Sequence, residues 1–102
     1  MNAVNRRDSV DREAAELLAV QALGYLVGEP ERLGRFLALS GLGPEQIRVA
    51  AAQPGFLAGV LEYLNSDETL LLGFADHARV DPAQIGRAQS ALSGERWERE
   101  IP

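Results

Sequence analysis

An all-α domain is what this sequence predicts: a compact bundle of five to six short helices, built as two three-helix units. Three observations lead there. No stretch alternates apolar and polar residues at period two, and β-branched residues are sparse and scattered. Apolar residues recur instead at helical spacing, in segments opened by proline or a capping residue and closed by glycine. Finally, Pro44-Glu45-Gln46-Ile47 returns 38 residues later as Pro82-Ala83-Gln84-Ile85. Sliding the chain by that offset also aligns Leu23 with Leu61, Tyr25 with Tyr63, Leu26 with Leu64, Leu33 with Leu71, Phe36 with Phe74 and Ala50 with Ala88. That makes 9 identities in 30 gapless columns, from 22 to 51. Helical proteins share leucine spacings by chance, but a gapless match of Tyr-Leu, Phe and Pro-x-Gln-Ile favours duplication.

Residues 1–8 show no periodic apolar pattern and are expected to be a flexible N-terminus. A single helical domain should follow over 9–94, with halves of about 9–52 and 55–94, and then a charged tail over 95–102. Asp8 or Ser9 is placed to cap the first helix, and Asp11, Glu13 and Glu16 suit the positive end of its dipole. Leu18, Ala19, Ala22, Leu23 and Leu26 form its inward stripe. Gly28 offers a stop through positive φ.

Glu29-Pro30 opens the second helix, with Leu33, Phe36, Leu37 and Ser40 on one face and Gly41 at its end. A short third helix starts at Pro44 and turns Ile47, Ala50 and Ala51 inward. Gln53-Pro54-Gly55 is expected to be the hinge between halves. Phe56, Leu57, Val60, Leu61 and Leu64 then repeat the first stripe. Ser66 should cap the fifth helix, which turns Leu71, Phe74, Ala75 and Ala78 inward. Asp81 should cap the last, with Ile85, Ala88 and Leu92 inward and Gly94 as its end.

Composition narrows the function classes. The chain has 102 residues, 46% hydrophobic, enough for a core without a staple. It has no cysteine, which excludes disulfides, thiolate zinc sites and cysteine nucleophiles. All ten basic residues are arginine, a bias that fits a GC-rich genome better than a function. A formal charge of −5 and a pI near 4.8 oppose a phosphate-tracking surface, so no nucleic-acid partner is expected. The apolar runs fall far short of a membrane span, and the N-terminus has acids where a signal peptide carries its apolar core. A cytoplasmic protein is the expectation.

The runs ALGYLVGEPERLGRFLALSGLGPEQIR, PGFLAGVLEYLNSDETLLLGFA and VDPAQI resemble the 3572 family of domains of unknown function, over about residues 17–94. The resemblance implies a small bacterial cytoplasmic protein. It implies no activity, cofactor or catalytic residue.

The residues themselves carry little chemistry. His77 is the sole histidine, without the HExxH pattern or second ligand that zinc centres use. Its neighbour Asp76 points about 100° away on a helix, so the two form no ready dyad. A surface or structural role is favoured. Asn65, Asp67 and Thr69 hint at a calcium loop, but the glycine and distant glutamate of an EF-hand are missing, and a helix start explains them better. Gln46 and Arg48, or Gln84, Arg87 and Gln89, would be the reading positions of a helix-turn-helix, which the charge balance disfavours. No catalytic residue, cofactor or metal site is therefore expected.

The leading expectation is a non-catalytic protein-interaction or regulatory module, monomeric or weakly dimeric, whose partner is another protein. Tyr25 and Tyr63, at matched positions beside the stripes, are candidate aromatic anchors in a groove between halves. Trp97 in the charged tail is the third. The alternative is a small-molecule binder or enzyme using carboxylates, arginines and His77. Gln46 and Gln84, the glutamines common to both copies of the echo, are expected to cap a neighbouring helix.

Overall fold

A computed structural model describes the backbone of residues 2–100, and the side chains of residues 12–93 other than Pro44 and Pro54. Six helices follow one another: α1 (Asn2–Val27), α2 (Pro30–Ser40), α3 (Pro44–Ala50), α4 (Pro54–Asn65), α5 (Glu68–Ala78) and α6 (Pro82–Glu100). The chain is all-α, as the periodicity predicts, and the described residues include no strand.

The centre is a triangle of α1, α4 and α6, whose mutual contacts are the most extensive. Its stripes are those the spacing predicts. Ala19, Ala22, Leu23 and Leu26 of α1 meet Leu57, Val60, Leu61 and Leu64 of α4, and Ile85, Ala88 and Leu92 of α6, all buried. Helices α2 and α5 each add a buried phenylalanine, Phe36 and Phe74. Alanines on α1 (Ala15, Ala19, Ala22) let its neighbours approach closely. Among the described residues no polar or charged side chain is buried.

Helix ends show which sequence signals held. Pro30 and Pro44 begin helices at the first helical position, where a missing N–H costs nothing. Gly41 closes α2 at φ 76°, its N–H donating to the Leu37 carbonyl. Gly28, by contrast, does not take positive φ. It matters for space instead, since a Cβ there would lie 3.2 Å from the Gly24 carbonyl.

Other boundaries differ from expectation. Helix α1 begins at Asn2, so Asp8 and Ser9 lie inside it rather than capping it. Gln53-Pro54-Gly55 is the entry to α4: Gln53 is its N-cap, and Pro54 and Gly55 are its first turn. Ser66 ends α4, with its hydroxyl donating to the Tyr63 carbonyl at 2.7 Å. The N-cap of α5 is Asp67, whose Oδ1 accepts from the Leu70 N–H at 3.2 Å. Of these two adjacent capping residues, Asp67 is one residue closer to the free N–H groups of the first turn. Helix α6 passes through Gly94 and runs to Glu100.

The boundaries of the halves keep the 38-residue spacing. Both α2 and α5 have 11 residues and start at 30 and 68. Helices α1 and α4 end at 27 and 65, and α3 and α6 start at 44 and 82. Burial is less regular, because Ile85 is fully buried while its counterpart Ile47 is only partly so.

Candidate functional site

Aromatic rings cross between the halves in a reciprocal way. Tyr25 of α1 packs on Phe74 of α5, with centroids 5.6 Å apart and planes tilted by 55°. Tyr63 of α4 packs edge-on against Phe36 of α2 at 5.4 Å and 66°. Each tyrosine thus meets the phenylalanine of the other half, and Phe56 adds a second edge contact to Phe36 at 6.0 Å. Such pairings contribute about 0.5–1.5 kcal/mol each beyond the area they bury. Both tyrosines are half-buried.

Their surroundings differ. Position 73, beside Tyr25, is glycine, and the residue 38 positions earlier is Arg35. A Cβ on Gly73 would lie 2.6 Å from the Tyr25 hydroxyl, so the bare helix surface at Gly73 makes room for that oxygen. Tyr25 is also held from its other side. The Arg32 guanidinium sits 4.0 Å above its ring, while Arg32 Nε donates to the Tyr25 carbonyl at 3.1 Å. Glu29 pairs with Arg32 Nη1 at 3.3 Å. His77, one turn beyond Gly73, lays its ring 5.2 Å from that of Tyr25.

Of these, Tyr25, Arg32, Phe74 and His77 border a cleft of about 530 Å³ between α1, the α1–α2 corner and α5, with Gly24 and Gly28 along one side. No local pattern links Arg32 to Tyr25 and His77. Only the Gly28 corner, which brings α2 back beside α1, puts them together.

Two further grooves flank Leu17 of α1. One, of about 1140 Å³, lies between α1 and α6 and is walled by small residues such as Ala14, Ala83 and Ala91. The other, of about 460 Å³, is bordered by Glu13, Glu16, Leu17, Val20, Ala52 and Leu57. Leu17 is 68% exposed and Val20 47%, on the helix that also supplies much of the core. The inward stripe does not reveal this second face, because α1 is apolar on two sides.

The remaining candidates are quickly placed. Trp97 lies outside the described residues. Asn65 donates from Nδ2 to Gln89 Oε1 on α6, tying two helices of the central triangle together, and Asp67 is engaged as a cap. Gln46 and Gln84 do cap, but each at the start of its own helix and not of a neighbouring one. Gln46 Oε1 accepts from the Gly43 N–H at 2.8 Å, and Gln84 Oε1 from the Asp81 N–H at 3.0 Å. Only the Asp81 end adds a side-chain N-cap, since Gly43 has no side chain; Asp81 Oδ1 accepts from the Ala83 N–H at 2.9 Å. No helix among the described residues is long and apolar enough to cross a membrane.

The fold and these surfaces define a class: a small six-helix bundle whose two halves exchange aromatic contacts, with open grooves along its first helix. The family model described as "Protein of unknown function (DUF3572)" matches residues 12–95, and the chain belongs to that family. No curated protein and no solved structure matches it.

Proposed function

We propose that the chain is a non-catalytic docking module whose α1 receives a basic amphipathic helix of another protein. The observation that carries this is the exposure of Leu17 and Val20 beside a groove rimmed by Glu13 and Glu16. Large apolar side chains left open next to a concave surface mark interaction sites more often than isolated ones do. Among the described residues no arginine borders this groove, and the chain carries a formal charge of −5. A partner helix with leucines on one face and flanking cations complements both features. Tyr25 and Tyr63 are then braces of the bundle and not its main anchors, while Trp97 is a candidate extra contact. The absence of cysteine from the sequence agrees with a bacterial cytoplasmic setting, in which the module is monomeric or weakly dimeric and binds no nucleic acid. The matched boundaries at 38 residues support duplication as the origin of the two halves.

The test is an amide-shift titration with a short leucine/lysine amphipathic peptide. Saturable shifts are expected at Leu17, Val20, Ala52 and Leu57, weakening as salt is raised. Leu17→Asp should abolish them, and Glu13→Arg with Glu16→Arg should switch preference to a leucine/glutamate peptide. Silence at these residues sinks the proposal. Concentration-dependent self-association through Leu17 in sedimentation, without a peptide response, would assign the face to a second copy instead.

A further inference from the structure

We infer that the cleft between α1 and α5 binds a small aromatic carboxylate. It is separate from the docking groove and independent of that reading. Its volume of about 530 Å³ falls among those of small-molecule sites, about 300–1,000 Å³. What distinguishes it is the preparation of one cation. Arg32 is fixed by its Nε bond to the Tyr25 carbonyl and by its stacking on the Tyr25 ring, so little side-chain freedom remains to be lost on binding. Its ion pair with Glu29 is an exposed i,i+3 contact, of a kind that contributes about 0–1 kcal/mol and yields readily to a better-placed carboxylate.

Among the described residues no acid lines the cleft, although the chain as a whole is acidic. The side chains of Gln21 and His77 border it too, and neither has a hydrogen-bond partner among the described residues. They supply polar groups beside the guanidinium. The rest of the lining is aromatic or bare: Tyr25, Ala78 and the backbone at Gly24 and Gly28, with the fully buried Phe74 behind them. A flat ring fits such walls, and a carboxylate matches a single guanidinium fork. A phosphate would want more cations than one arginine provides.

Gly24 provides a clean test. It sits in mid-helix on the cleft wall, and a Cβ there would meet nothing within 4 Å. Gly24→Leu therefore starts its side chain into the cleft from a Cβ that meets no neighbour, and it improves helix propensity. The wild-type protein is titrated with benzoate, and with acetate, inorganic phosphate and benzylamine as comparators. Benzoate should give saturable shifts at Gly24, Gly28, Phe74 and the His77 ring. Acetate, phosphate and benzylamine should bind at least about tenfold more weakly, the loss of roughly one good contact. Gly24→Leu should abolish the benzoate response while melting at or above the wild-type temperature, and Arg32→Gln should weaken it. The inference is overturned if benzoate gives no saturable response or responds equally in Gly24→Leu. It is equally overturned if benzylamine or phosphate binds as tightly as benzoate.

Discussion

The Tyr25 hydroxyl on α1 rests against the uncovered α-carbon of Gly73 on α5, so close that a Cβ there would lie 2.6 Å from the oxygen. Glycine in mid-helix usually costs about 1 kcal/mol relative to alanine. Here that cost makes room for a ring pinned between Arg32, Phe74 and His77. Because the ring is held on several sides, it cannot swing away. Gly73→Ala should therefore destabilise by about 1–2 kcal/mol, overpacking outweighing the gain in propensity. Removing the hydroxyl should reverse the sign. The next ring atom, Cζ, is 3.7 Å from the same Cβ, an ordinary contact. In a Tyr25→Phe background, Gly73→Ala should be neutral or stabilising. Thermal melts of the four proteins in this cycle check it, and additivity would refute the contact.

Phe36 and Phe74 are both buried, at 4% and 0% exposure, and each takes a tyrosine from the opposite half. Replacing either by alanine removes a core ring and its cross-half partner at once. Each change should cost about 3–5 kcal/mol. Comparable losses in denaturant titrations are expected. A large effect at one site and a negligible one at the other would show that the environments are not equivalent.

The core was legible in the sequence because burial of one helix face imposes a period. Leu23, Leu26, Leu61, Leu64, Phe74 and Ile85 are all where that period puts them. Ends were less legible where two signals adjoin, as at Ser66 and Asp67, or where a glycine such as Gly94 lies inside a helix that continues. The cleft was not legible at all. Arg32, Tyr25 and His77 belong to three different helices, and no local pattern records how α2 folds back on α1. The exposed Leu17 was visible as a residue but not as a surface, since exposure depends on which neighbours the bundle supplies.

Arg79 follows α5 at φ 60°, in the left-handed region that a side chain disfavours. Its counterpart 38 residues earlier is Gly41, at φ 76°. Both N–H groups donate to the carbonyl four residues back, Ala75 and Leu37 respectively, so the same turn closes both helices. Only one uses the residue that fits it. Arg79→Gly should stabilise by about 0.5–1 kcal/mol, the relief of strain exceeding the added freedom of the unfolded chain. Gly41→Ala should destabilise by about 1 kcal/mol. Equilibrium unfolding decides, and a destabilised Arg79→Gly would mean that the arginine side chain makes a contact worth more than its strain.

Gln46 and Gln84 make the same bond at the starts of α3 and α6, yet removing them should look different. Each accepts from an exposed N-cap N–H, an interaction that stabilises by about 0.5–1 kcal/mol. Helix α6 belongs to the central triangle and buries Ile85 one position after Gln84, so its first turn cannot loosen without disturbing the core. Helix α3 has 7 residues, and Ile47 is only partly buried. Gln84→Ala should therefore lower the global melting temperature, while Gln46→Ala should mainly speed amide exchange within α3 and leave the global transition nearly unchanged. Glutamate serves the same capping role, so Gln84→Glu should keep most of the wild-type stability. Equal melting shifts for the two alanine variants would show that α3 unfolds only with the whole bundle.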